Sequence, residues 1–194
     1  MNTHRLSQLI LPATLIIWTL YGFLSGFGHW NAAVSVALVA SVGLIALMGA
    51  RHVTIKVMDW TMVIYFAIAG VATFAFRSST FRGCSPIVIW VLYAAAAWAS
   101  ILLGKPFSLQ YARESTPTNL WQNSLFIRTN MIISGGWGLS FLLNVILVIV
   151  ASRVPLISLW IGVLAPILVM GAASIFTTVY SRSIRARHPL TNAV

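Results

Sequence analysis

The sequence predicts an all-α polytopic transmembrane helix bundle of about six helices, a single membrane domain over residues 1–194. Three observations carry that prediction. The chain is 59% hydrophobic and only 7% charged, where soluble domains carry about 25% charged residues. It holds six apolar runs near the length that crosses a bilayer. Its basic residues are sorted to one side of those runs.

A helix rises about 1.5 Å per residue, so roughly 20 apolar residues cross a hydrocarbon core of about 30 Å. The runs span residues 8–27, 32–50, 60–76, 86–103, 131–151 and 155–181, each without an acid or base in its interior. Backbone groups in lipid find no water, so uncharged runs of this length form helices. A barrel strand would alternate apolar and polar residues, and Leu142-Leu143-Asn144-Val145-Ile146-Leu147 does not. The first run is longer than a signal-peptide core and lacks a small-x-small cleavage site, which reads as a retained helix.

Local signals place the helix ends. Asn31 and Asp59 read as N-caps of the second and third helices. Pro86 reads as the opening of the fourth, and Gly104-Lys105-Pro106 as its close. Pro166, mid-run in the sixth, predicts a bend. Trp18, Trp30, Trp60, Trp121 and Tyr180 lie near predicted ends, as an aromatic belt expects.

With the N-terminus inside, the cytoplasmic segments hold Arg5, Arg51, Lys56, Lys105, Arg113, Arg128, Arg182, Arg185 and Arg187, against Arg77, Arg82 and Arg153 outside. Nine against three predicts both termini in the cytoplasm of a bacterial inner membrane. The net charge of +10 is thereby explained by orientation, and no nucleic-acid partner is implied.

The inventory argues against enzyme chemistry. Asp59 and Glu114 are the only acids and fall in different loops, so they cannot act as a pair. Cys84 is the only cysteine, and His29 and His52 fall on opposite sides of the membrane. No metal and no cofactor is expected. No Gly-x-Ser-x-Gly or His-Glu-x-x-His pattern occurs.

Three features remain. Small residues spaced by four (Ala33, Ala37 and Ser41; Ala46 and Ala50; Ala95 and Ala99; Ser134 and Gly138; Gly136 and Ser140) predict close helix packing, within one bundle or in a homodimer. Asn144 is the most polar side chain deep in a helix, and predicts one interhelical hydrogen bond or a substrate contact. Residues 104–129 form the one long connection, on the cytoplasmic side. There Lys105, Gln110, Tyr111, Arg113, Glu114 and Trp121 are candidates for contact with lipid headgroups or a protein partner. Leu120, Trp121, Ser124, Leu125 and Arg128 are placed to form one side of a short interfacial helix.

A transmembrane run ending in Gly104-Lys105-Pro106-Phe107, Pro117 four residues before Trp121, Asn130 fourteen residues before Asn144, and a last apolar helix with a basic end resemble the bacterial intracellular septation protein A family. The resemblance covers roughly residues 60–188. It departs in a longer spacing from Trp121 to Asn130 and in the stretch Gln110-Tyr111-Ala112-Arg113-Glu114. It implies a non-enzymatic role in cell-envelope synthesis or division through membrane-protein partners, and no catalytic residue. The alternative reading is a small transporter or lipid translocator, with Asn144 and Ser140 lining a midplane polar site.

Overall fold

The computed structural model describes residues 3–154 and 160–187, with side chains described at residue 10 and from residue 12 onward within those ranges. Every regular element among them is helical. The order is α1 (Thr3–Gly26), α2 (Trp30–Ala50), α3 (Val57–Gly70), a π-helical turn (Val71–Ala75), α4 (Ser79–Leu102), α5 (Ser108–Ala112), two 3₁₀ turns (Arg113–Ser115 and Thr118–Leu120), α6 (Ser124–Arg153), a second π-helical turn (Trp160–Leu164) and α7 (Ala165–Arg187). Five helical segments are long and apolar enough to cross a membrane, namely Trp30–Ala50, Val57–Ala75, Ser79–Leu102, Ser124–Arg153 and Trp160–Arg187. The apolar part of α1, Pro12–Gly26, is shorter. Among the described residues, five of the six expected runs are full-length spans, and the first expected run falls in α1, whose described apolar part is Pro12–Gly26.

Several helix ends differ from the sequence expectation. Helix α2 starts at Trp30 after His29, so Asn31 lies inside its first turn. Asp59 serves α3 from the third helical position, where its carboxylate accepts the Lys56 backbone N–H at 2.9 Å. Helix α4 begins seven residues before Pro86, and Ser78 Oγ accepts the Phe81 N–H at 3.1 Å. Pro86 is therefore inside the helix, where it removes one ladder bond. Helix α6 also starts seven residues early, because Asn123 Oδ1 accepts the N–H groups of Leu125 at 2.8 Å and Phe126 at 3.4 Å. Pro166 is the second residue of α7, directly after the π-helical turn. Its missing N–H falls where the ladder changes its pattern. The close of α4 is as expected, with Gly104 at φ +68°, a left-handed position that glycine adopts without strain.

The chain divides into two compact units, Met1–Ile89 and Trp90–Val194. In the first, Trp18, Tyr21, Tyr65 and Phe66 pack ring to ring, with Tyr21 and Phe66 centroids 5.2 Å apart. The Tyr21 and Tyr65 hydroxyls lie 2.6 Å apart, and both meet Ser85 Oγ at 3.0 Å. Trp30 Nε1 donates to Thr73 Oγ at 2.9 Å. These contacts give each buried polar tip a partner inside an apolar body. In the second unit, Phe141 packs against Trp90, Tyr93 and Trp137, and Trp137 Nε1 donates to Thr177 Oγ at 2.9 Å.

The small-residue rows divide by face. Ala33, Ala37 and Ser41 are buried in the first unit, and Ser134 and Gly138 in the second. Ala46, Ala50, Ala95 and Ala99 are exposed. A Cβ on Gly138 would lie 2.9 Å from Trp98 Nε1, so glycine is what lets α4 approach α6 there. Gly171 on α7 faces open space. Gly138→Ala is expected to lower the unfolding midpoint in detergent, by an overpacking cost of about 1–3 kcal/mol. Gly171→Ala is expected to raise it by about 0.5–1 kcal/mol, since it removes only backbone freedom. Equal midpoints for the two variants would show that the contact between Trp98 and Gly138 is loose.

Candidate functional site

The long connection is held onto the helices of its own unit by a buried hydrogen-bond network. After the turn at Gly104, residues Pro106, Phe107, Ser108 and Leu109 are buried. The Phe107 N–H donates to Ser100 Oγ at 3.0 Å, and that hydroxyl donates to the Ala97 carbonyl at 2.6 Å. The Ser108 N–H donates to Ser134 Oγ at 3.2 Å, and the Ser134 hydroxyl donates to Ser108 Oγ at 3.0 Å. The Ser108 hydroxyl then donates to Asn130, whose backbone oxygen lies at 2.8 Å and Oδ1 at 3.0 Å. The Asn130 amide donates back to the Phe126 carbonyl at 2.9 Å. Ser100, Ser108, Asn130 and Ser134 are all buried, so each bond is made where water cannot replace it.

Beyond this anchor the connection presents the sequence-predicted residues. Tyr111 is exposed and sets its ring edge-on to Phe107 at 6.4 Å. The Arg113 guanidinium lies 5.1 Å over the Trp121 ring, within cation–π range. Trp121 Nε1 donates to the Thr116 carbonyl at 3.0 Å, which fixes the ring. Lys105 and Glu114 are exposed, and Gln110 is half-buried. The short interfacial helix expected around Leu120–Arg128 is divided instead. Leu120 ends a 3₁₀ turn, and Ser124, Leu125 and Arg128 open α6.

The connection, the first turns of α6 and the end of α7 enclose a cavity of about 480 Å³. Tyr111, Ala112, Leu120, Phe126, Ile133 and Ile184 supply much of its wall. Polar lining comes from Ser108, Thr129, Asn130, Thr177, Ser181 and Arg185, among others. Thr129 Oγ is buried and has no hydrogen-bond partner. The volume lies within the usual range of small-ligand sites, about 300–1,000 Å³. Of the predicted site residues only Tyr111 lines this cavity. Ser108, Thr129, Ser134 and Arg185 were not singled out as site residues from sequence. The four-residue spacing of Asn130, Ser134 and Gly138 was the available signal for the face of α6 that carries the network.

Asn144 lies on the same buried stripe of α6, fourteen residues beyond Asn130, which is about 21 Å along a helix. It is fully buried. Neither its carbonyl nor its amide nitrogen finds a partner, so the expected interhelical hydrogen bond is not formed. Trp98 Nε1 is likewise buried and unbonded.

Comparison with known proteins agrees with this architecture. The chain is 30% identical over 92 residues to the inner membrane-spanning protein YciB of Cupriavidus taiwanensis, covering 46% of this chain and 51% of that one. It is 28% identical over 113 residues to YciB of Ralstonia nicotianae, covering 57% and 56%. The YciB of Ralstonia pickettii is 27% identical over 113 residues, covering 57% and 55%. This chain is a multi-pass inner-membrane protein similar to YciB. The matches span about half the length of these curated relatives. Their name states a membrane location and says nothing of septation. No family model and no solved structure matches the chain.

A buried amide without partners costs about 1–3 kcal/mol of desolvation. Leucine has the same branching as asparagine at Cγ and no such cost. Asn144→Leu is therefore expected to leave the unfolding midpoint in detergent unchanged or raise it. Asn130→Leu, which breaks the network, is expected to lower it by about 1–3 kcal/mol. A loss at Asn144 as large as that at Asn130 would mean that the Asn144 amide is bonded in the folded protein.

Proposed function

We propose that this chain is a non-enzymatic inner-membrane protein that binds protein partners of cell-envelope synthesis or division through the surface of residues 104–129, with both termini in the cytoplasm. One observation supports this reading above the others. The connection is fixed by the buried bonds of Ser108 to Asn130 and Ser134. A lipid anchor needs only cations and apolar side chains near the surface, and gains nothing from a fixed backbone. A partner site does, because preorganised Tyr and Arg side chains lose less entropy on binding. Tyr111 and the stacked pair Arg113 and Trp121 have this character. The similarity to YciB is compatible with the reading and names no partner.

The second reading, a small transporter or lipid translocator, draws on Asn144 and Trp98, whose unbonded polar atoms lie deep in the second unit. The exposed small-residue rows Ala46 with Ala50 and Ala95 with Ala99 are compatible with a homodimer face.

Two measurements test the main reading. Replacing Gln110, Tyr111 and Glu114 together with Ala is expected to remove crosslinked partners and the envelope phenotype, while Lys105→Gln, outside the stacked pair, weakens only salt-sensitive membrane association. Partners and phenotype unchanged in the first set would leave the segment as an anchor alone. For orientation, Cys84 near the start of α4 is expected to react with a membrane-impermeant thiol reagent once the outer membrane is permeabilised. Protection that lasts until lysis would reverse the topology.

A further inference from the structure

The cavity combines features that a protein-partner surface does not require. Its wall is apolar where Ala112, Leu120, Phe126, Ile133 and Ile184 meet. Among the described residues, its one charged lining residue is a cation, Arg185, exposed near the basic end of α7, and no carboxylate lines it. Thr129 places a buried, unbonded hydroxyl in the wall. An apolar chain fits such a wall, an anionic oxygen fits an exposed guanidinium, and a neighbouring oxygen fits the threonine hydroxyl. These three chemistries occur together in one molecule at the membrane surface, a phospholipid with an anionic headgroup. Helix α7 reaches the cavity with Thr177, Ser181, Ile184 and Arg185 at its last turns, the depth at which an apolar span gives way to headgroups.

We infer that this cavity holds one anionic phospholipid, its phosphate on Arg185, a headgroup or ester oxygen on the Thr129 hydroxyl, and part of an acyl chain along Phe126, Ile133 and Ile184. Generic attraction of lipid to surface cations is spread over all of them and is screened by salt. A built site depends on one arginine and on an empty wall. The inference stands apart from the partner reading, since crosslinked partners and retained lipid are measured separately.

The test uses the full chain in mild detergent with equal amounts of palmitoyl-oleoyl phosphatidylglycerol and phosphatidylcholine, and lipid retention read by native mass spectrometry. The wild type is expected to retain one phosphatidylglycerol in preference to phosphatidylcholine. Arg185→Gln should reduce that retention about tenfold, the effect of losing one charge-assisted hydrogen bond. Arg187→Gln, at an exposed position outside the cavity lining, should leave it unchanged. Ala112→Trp should fill the space and remove lipid of either kind, with its unfolding midpoint measured alongside. Should that variant fail to fold, Thr129→Val keeps the wall shape, and retention should fall several-fold at an unchanged midpoint. Equal retention of the two lipids by the wild type overturns the inference. So do equal losses from Arg185→Gln and Arg187→Gln, or unchanged retention in the folded cavity variants. Displacement of the lipid by a hundredfold excess of inorganic phosphate also overturns it, because it would assign Arg185 to a free anion.

Discussion

A polar group inside hydrocarbon has no water to bond, so each donor or acceptor the protein leaves unsatisfied there costs stability. The hydroxyls meet this demand locally. Thr14, Thr19, Thr61, Ser140, Ser174, Thr177 and Thr178 each donate to the carbonyl four residues earlier. Such groups cost the helix little and need no neighbour. Groups that cannot close a bond on their own helix must be met by another element. The aromatic hydroxyls at Tyr21 and Tyr65 and the indoles of Trp30 and Trp137 are met in that way. Specific tertiary structure in an apolar chain depends on this second group, because lipid tails are as apolar as leucine and do not drive helices together.

The same demand explains why the long connection is ordered. Its backbone leaves α4 at Gly104 and turns back over buried surface, where the N–H groups of Phe107 and Ser108 would otherwise be stranded. Ser100 and Ser134 accept them. Once Ser108 is fixed, its own hydroxyl needs an acceptor, and Asn130 supplies two. Anchored to α6 in this way, the connection lines the cavity together with the first turns of α6 and the end of α7. The site is thus a consequence of how the chain re-enters the bilayer surface after α4.

The spans were legible because hydrocarbon imposes long, uncharged runs that a sequence cannot disguise. The starts of α4 and α6 were less so, because both helices continue past the apolar run. Ser79–Ser85 and Ser124–Asn130 are of mixed composition and each carries an arginine, and only Ser78 and Asn123 mark where the helices begin. Tyr111, Arg113 and Trp121 stood out as rare chemistry in an apolar chain. Asn144 stood out for the same reason, but the absence of a partner depends on tertiary packing, which spacing along one helix does not specify. The cavity was not legible. Thr129, Ile133 and Ile184 are ordinary membrane residues, and Arg185 read as a topology signal. Their convergence depends on how α5, α6 and α7 pack.

Bonding separates two sets of polar groups in the second unit. Near the start of α6, hydroxyls and amides are bonded to one another beside an open cavity with an arginine. Further along the same stripe of α6, Asn144 is buried with both polar atoms unbonded, and on α4 the indole nitrogen of Trp98 is buried and unbonded. On α6, Gly138 lies between Asn130 and Asn144, and a single added methyl there would come within 2.9 Å of the Trp98 indole. The cavity's lining on α6 ends at Ile133, eleven residues before Asn144. The proposed ligand site therefore draws on neither Asn144 nor Trp98, whose unbonded atoms are a desolvation cost to the second unit.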